Sequence, residues 1–413
     1  MFNRIKRIVK WLYPGMKIKR WILLTGLGLF LVGIGSARLL FDEFIIIKAI
    51  DTLVILVGIS FVIAGIKKMM KSFIGVFLPQ HDRDLVDIMY RKRQLERGPK
   101  IVVIGGGTGL SVLLQGLKSV TSNITAIVTV ADDGGSSGRL RQQFNVLPPG
   151  DIRNCLVALA DAEPLMQNLF QFRFSDDSEF KGHNFGNIFI TAMTKLTGGD
   201  FEKAIEESSK VLAIRGQVVP ATLESVALEA SYSDGSKALG EASIPKKHGT
   251  INRISLKPDN VRASGGALKA IAAAELIILG PGSLYTSVIP NLLIKEITQE
   301  IIRSSAFKIY ICNVMTQNGE TGGYTAFDHM QVLINHTDRR IVDCCLVNTA
   351  QIPDRFLEKY KEGMSFPVVA DSQRIRDAGY SVVEGNYINF TDFVRHDSKK
   401  LAKTILNIIT SHV

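Results

Sequence analysis

The chain opens on two long apolar stretches and then turns to short ones. Trp21 to Ala37 runs 17 residues without a charge, and Thr52 to Ile66 runs 15. From Lys100 onward the apolar runs shrink to strand length: Ile101 to Ile104, Ala126 to Val130, Leu276 to Leu279, Ile309 to Val314 and Val342 to Val347. Segments with helical spacing separate them. Strands alternating with helices predict an α/β three-layer sandwich, a mainly parallel sheet covered by helices. Between about Gln217 and Leu256 the pattern differs: Val226 to Tyr232 alternates and Ser233-Asp234-Gly235-Ser236 reads as a turn, which predicts a subsidiary β-rich region. The last helix is expected to begin near Asp397 or Ser398.

Charge gives the two long stretches a direction. The first is preceded by Arg4, Lys6, Arg7, Lys10, Lys17, Lys19 and Arg20 with no acidic residue among them, and the second is closed by Lys67, Lys68 and Lys71. The connecting piece carries Asp42, Glu43 and Asp51 against Arg38 and Lys48. By the positive-inside rule this is a two-pass transmembrane hairpin at the cell membrane, with both termini and the main domain in the cytoplasm. A cleaved signal peptide for the first stretch, or a buried helical hairpin of a soluble domain for both, are the alternatives. The expected organisation is a basic segment with two spans over residues 1–75, a charged linker over 76–99, and one large domain over 100–413. The linker contains Arg91-Lys92-Arg93 and Gly98-Pro99, a solvated run whose cations would lie near lipid headgroups. The net charge of the chain is +10. Residues 1–100 hold 18 Lys and Arg against 7 Asp and Glu, a net of +11, which leaves −1 for the rest and argues against a nucleic-acid footprint on the large domain.

Candidate chemistry sits where strands break into loops. Ile101 to Ile104 runs into Gly105-Gly106-Gly107-Thr108-Gly109 and then the helical Leu110 to Leu117. A helix N-terminus leaves backbone N–H groups unpaired and carries partial positive charge, so this junction is a phosphate-sized cradle. The dinucleotide pattern G-x-G-x-x-G is absent, since position 110 is Leu, and no P-loop Gly-Lys follows. The next strand ends in Asp132-Asp133-Gly134-Gly135-Ser136-Ser137-Gly138, where a carboxylate often meets a ribose hydroxyl. A third junction, Leu279-Gly280-Pro281-Gly282-Ser283-Leu284-Tyr285-Thr286-Ser287, reads as a second anion cradle. A fourth, Cys312 to Thr321, ends a strand in amides and hydroxyls suited to a base or sugar edge, or to turn chemistry alone.

Smaller signals stand between these. In Gly182-His183-Asn184-Phe185-Gly186-Asn187 the two Asn amides could cap a helix or hold a ligand diphosphate, with ligand contact preferred, and His183 reads first as a loop hydrogen-bonder. Asp151, in Pro149-Gly150-Asp151, reads as a structural N-cap. Arg395 could grip a phosphate or pair with a carboxylate. Cys155, Cys312, Cys344 and Cys345 show no metal spacing and suit a reducing compartment, with buried packing as their role.

Taken together, IGGGTGLSVLLQGLK, VTVADDGGSSGRLR, GHNFGN, LGPGSLYTSVIPNLL and NVMTQNGETGGYTAFDH resemble the YvcK-type gluconeogenesis factors, relatives of the CofD-like 2-phospho-lactate transferases, over about Lys100 to Val413. The resemblance implies a Rossmann-like domain that binds a nucleotide sugar, UDP-N-acetylglucosamine above all. It also implies a regulator without an established reaction that adjusts cell-envelope synthesis and cell shape to the carbon source. Carried over by motif, Gly106, Gly107, Thr108, Gly109, Asp132, Asp133, Gly135, Ser136, Ser137, Asn184, Asn187, Gly282, Ser283, Tyr285 and Thr286 would form the crevice, with Tyr360 and Arg395 added from the C-terminal region. No cofactor is required. Expected partners are the nucleotide sugar, the membrane through the hairpin, peptidoglycan-synthesis enzymes and a second copy of the chain. The membrane hairpin departs from the short, soluble members of that family. An enzymatic alternative is CofD-like transfer of a phospho-lactate to a deazaflavin, assisted by Mg²⁺ near Asp132 or Asp133. An NAD-dependent oxidoreductase is the third reading, resting on Asp132 and fold analogy alone.

Overall fold

The computed structural model describes residues 19–41, 44–77, 85–175, 178–390 and 394–412. Two units are distinguished, Met1–Lys92 and Arg93–Val413. In the first, helices Lys19–Phe41 and Ile45–Phe77 pack along their length. Both are long and apolar enough to cross a membrane. Their contact face is built from small residues: a Cβ on Gly28 would lie 2.6 Å from the Gly58 carbonyl oxygen, and one on Gly58 2.8 Å from that of Gly28. Such close backbone approach is how helices associate where no hydrophobic force separates protein from lipid. Asp51 is 2% exposed on this face and meets Arg38 at 3.4 Å. A helix, Leu85–Glu96, occupies half of the expected linker.

The second unit is built on seven parallel strands: β1 (Ile101–Gly105), β2 (Ile124–Val128), β3 (Gln217–Pro220), β7 (Leu276–Leu279), β8 (Phe307–Ile311), β9 (Cys344–Asn348) and β10 (Ser381–Gly385). Their spatial order is β10-β9-β8-β7-β1-β2-β3. Every residue of β1 and β7 is buried, as expected of central parallel strands covered on both faces. Each large side chain so buried contributes roughly 1.5–3 kcal/mol. The helix Gly107–Leu117 packs on Gly150–Leu159 and on the C-terminal Ser398–His412. Asp397 caps that last helix, its carboxylate accepting from the N–H groups of Lys399 and Lys400 at 2.9 and 3.0 Å. All four cysteines are buried and unpaired.

The expected strand bounds shift where pairing dictates. Ladder partners begin at Ile101 and Ile124, so β2 starts two residues before the apolar run at Ala126. Gln217, the expected start of the subsidiary β region, belongs instead to β3, the edge of the main sheet. The smaller antiparallel sheet comprises β4 (Ala227–Tyr232), β5 (Lys237–Leu239) and β6 (Ile251–Lys257), in the order β5-β4-β6. A short hairpin of β11 (Ile388–Phe390) and β12 (Val394–His396) precedes the last helix.

Candidate functional site

The strand order reverses at β1 and β7, which are neighbours although 170 residues separate the end of one from the start of the other. In open parallel sheets ligands bind at such a switch point, outside the carboxyl ends of the strands. Both glycine loops open there. The helix after β1 starts at Gly107 with Gly106 as a bare N-cap, without a side-chain hydrogen bond. Gly107 has φ +68°, where L side chains are strained. A Cβ on Gly109 would lie 2.8 Å from the Pro281 carbonyl oxygen, so the loops touch only because glycine stands there.

The second loop is furnished where the first is bare. Ser283 caps the helical turn Leu284–Val288, accepting from Thr286 N–H at 3.3 Å and the Thr286 hydroxyl at 2.7 Å, and donating to Glu320. Asn313, at the end of β8, holds the loop from outside: its Oδ1 accepts from Gly282 N–H at 3.2 Å and its Nδ2 donates to the Gly282 carbonyl at 2.8 Å. Asn291, wholly buried, joins both loops by donating to the carbonyls of Gly105 at 3.2 Å and Ser287 at 2.7 Å.

A cleft of about 390 Å³ lies over this junction. Of the residues singled out in the sequence, it brings together Gly106, Gly107, Thr108, Gly109, Gly282, Ser283, Thr286, Tyr360 and Arg395. Val314, Met315, Gln317, Val394 and His396 complete the wall on the β8 side. The Tyr360 hydroxyl accepts from Val394 N–H at 2.8 Å and donates to its carbonyl at 3.2 Å, fixing the strand that presents Arg395. Tyr285 does not reach the cleft. It is 1% exposed, its hydroxyl bonds that of Tyr324 at 2.9 Å, and burial raises its pKa.

Asp132, Asp133, Gly135, Ser136, Ser137, Asn184 and Asn187 gather at the next strand end, after β2. Ser136 bonds His183 Nδ1 at 3.2 Å and accepts from Asn184 N–H at 3.2 Å. Asn184 caps the helix Phe185–Leu196 through Asn187 N–H at 3.1 Å, so its side-chain oxygen serves the fold. Burial, then the charges of Arg139 and Arg173, hold His183 below the ordinary imidazole range.

Two carboxyls have surroundings that the sequence reading did not assign them. Asp151 lies one position inside its helix rather than at the cap, because Pro149 is the N-cap. Its side chain accepts from Gly107 N–H at the cradle, and burial followed by the Asp132 charge raises it to about 7. Glu241 sits in a 3₁₀ turn after β5 and lines the cleft. Burial raises its pKa strongly, followed by the charge of Asp132, with which it is hydrogen-bonded. Only the positive φ of Gly240 beside it could have signalled a constrained turn. Among the described residues, no group of three or more His, Cys, Asp or Glu converges to hold a metal ion.

Residues 101–388 match the family model of the 2-phospho-L-lactate transferase CofD. A putative gluconeogenesis factor of Nostoc sp. is 47% identical over 98% of this chain and 93% of its own. The chain is a member of the gluconeogenesis-factor family. The Bacillus subtilis gluconeogenesis factor is 48% identical over 75% of this chain and 98% of its own length. A crystal structure of a UPF0052-family protein from Bacillus halodurans superposes with a TM-score of 0.73 at 47% identity, covering 75% of this chain and 99% of that one. Family members of the Bacillus type therefore correspond to the large unit, whereas the similarity to the Nostoc protein extends across the N-terminal helices.

Proposed function

We propose that this protein is a membrane-tethered receptor for a nucleotide sugar of the UDP-N-acetylglucosamine type, acting as a regulator that couples carbon metabolism to envelope synthesis and cell shape. The observation that carries this reading is the uncapped helix N-terminus at Gly106–Gly109, set at the sheet's switch point and lining the cleft. A diphosphate there would receive the free N–H groups and the helix dipole. Apolar and amide groups on the β8 side suit a pyrimidine, and Arg395 adds a cation for phosphate. Sensing is favoured over turnover because the Ser283 hydroxyl of the cleft is occupied as a cap between Thr286 and Glu320. The two N-terminal helices and their basic flanks support a two-pass anchor with the large unit in the cytoplasm.

Calorimetry on the Arg93–Val413 unit tests the ligand, since the Bacillus relatives consist of little else. UDP-N-acetylglucosamine is expected to bind with a micromolar dissociation constant, and Arg395→Ala to weaken it. Tight binding of NADH or of a deazaflavin in its place, with no response to the UDP-sugar, would remove the proposal.

A further inference from the structure

We propose, on the strength of the nucleotide-sugar reading above, that Gln317 reads the base: its side-chain amide accepts the ring N–H of a pyrimidine seated at the β8 end of the cleft. A pyrimidine with such a group is uracil. On this side the cleft is walled by Val314, Met315 and Val394. Side chains of that kind give a heterocycle apolar surface to lie on but no directional contact, so recognition of its edge has to come from a polar group among them. Gln317 is placed for that. It lines the cleft, and its Oε1 is buried and accepts no hydrogen bond from any described residue. Neighbouring polar groups on the same wall are engaged elsewhere. Asn313 holds Gly282 with both ends of its amide, the Tyr360 hydroxyl is tied to the Val394 backbone, and Arg395 has donors only.

The backbone beneath Gln317 is fixed from both sides. Its N–H donates to the Thr321 hydroxyl at 3.0 Å, and its carbonyl accepts from the N–H groups of Glu320 and Thr321 at 3.1 and 2.9 Å. Thr316, buried just before it, donates its N–H to the Phe366 carbonyl at 2.7 Å and accepts from Phe366 N–H through its hydroxyl at 2.9 Å. Two residues after Gln317, Gly319 has φ +77° and lies so close to Pro245, in the connection between β5 and β6, that a Cβ would strike the Pro245 carbonyl. The loop therefore satisfies its own main chain and leaves one side-chain acceptor unfilled.

A buried acceptor without a donor destabilises the chain until a donor reaches it. The last torsion of a glutamine is soft, so the amide can turn to meet a base edge. A ring N–H would then fill Oε1, while the amide NH₂ would face the ring carbonyl beside it. Uracil offers that donor and acceptor side by side.

Titration calorimetry of the full chain in detergent, with UDP and with N3-methyl-UDP, in which a methyl group replaces the ring hydrogen, tests the assignment. UDP is expected to bind at least about tenfold more tightly. In Gln317→Leu, which keeps apolar bulk and removes the acceptor, UDP is expected to weaken while N3-methyl-UDP holds, bringing the two within about twofold. Urea unfolding checks that the variant folds, and its midpoint is expected to match or exceed that of the unaltered protein because an unfilled acceptor is gone. Gln317→Met takes its place if Gln317→Leu does not fold. Equal affinity for the two ligands in the unaltered protein, or a gap that persists in the folded variant because the methyl group is excluded by bulk alone, overturns the inference and leaves the nucleotide-sugar reading standing. If neither UDP nor UDP-N-acetylglucosamine binds, that reading falls and the role of Gln317 falls with it.

Discussion

The loops after β1 and β7 look alike in sequence, each an apolar strand breaking into glycines and then a helix, yet they are built for different work. The first leaves its helix start uncapped, with backbone N–H groups turned to the cleft and only the Gly107 N–H answered by Asp151. The second has satisfied itself: Ser283 caps its helix, Glu320 accepts from the Ser283 hydroxyl, and the Asn313 amide clamps Gly282. A helix start that lacks a cap can gain one from a ligand, whereas one already capped has little to offer an anion. On the proposed reading the first loop is the binding element and the second is the wall against which it is set.

If the two loops act as such a pair, separating them should matter most. Gly109→Val would drive a side chain into the Pro281 carbonyl, already 2.8 Å from an added Cβ, and into Gly282. The expected result is a stability loss of about 1–3 kcal/mol in urea unfolding, together with disappearance of the calorimetric signal for UDP-N-acetylglucosamine. Binding at unaltered affinity would show that the loops need not touch. Asn291→Ala removes the stitch between the loops while leaving the cleft lining in place. It removes the amide donor from the carbonyls of Gly105, which keeps the Thr129 N–H, and of Ser287, for an expected loss of about 1–2 kcal/mol. Affinity should fall less than for Gly109→Val, and a variant as stable as the parent would mean that the strands alone fix the loop spacing.

What could be read from the sequence follows from how locally each feature is determined. β1, β7 and their glycine loops were legible because buried parallel strands are continuous apolar runs and their ends are spelled by glycine. The edge strands β3 and β10 were not singled out, since Gln217–Pro220 is short and ends in proline while Ser381–Gly385 is only partly covered. Tyr285 sits within the second glycine motif, but the wide turn at Leu284–Val288 rotates it into the core beside Tyr324. Asp151 was misread through two positions of helix register, since the cap is Pro149. Glu241 lies 109 residues from Asp132, and no local pattern announces that a turn of the small sheet will bring it to the cleft.

Asp151 gives the finest test of the contrast, because it touches only the first loop. Its folded-state pKa of about 7 lies above its ordinary 3.8, so the folded chain holds the proton more tightly than the unfolded one. Below about 4 both states are protonated and the contribution is fully present. As pH rises toward 7 the unfolded chain ionises first, and the stabilisation is lost. Asp151→Asn keeps an acceptor for the Gly107 N–H and removes the titration. In urea unfolding at pH 5 and pH 8, the variant is therefore expected to gain on the unaltered protein at the higher pH. The difference should level off above pH 7, once Asp151 is ionised in both states. A variant that loses ground as pH rises would mean that ionised Asp151 is held by a cation, and the first loop would then carry an ion pair in place of an open anion cradle.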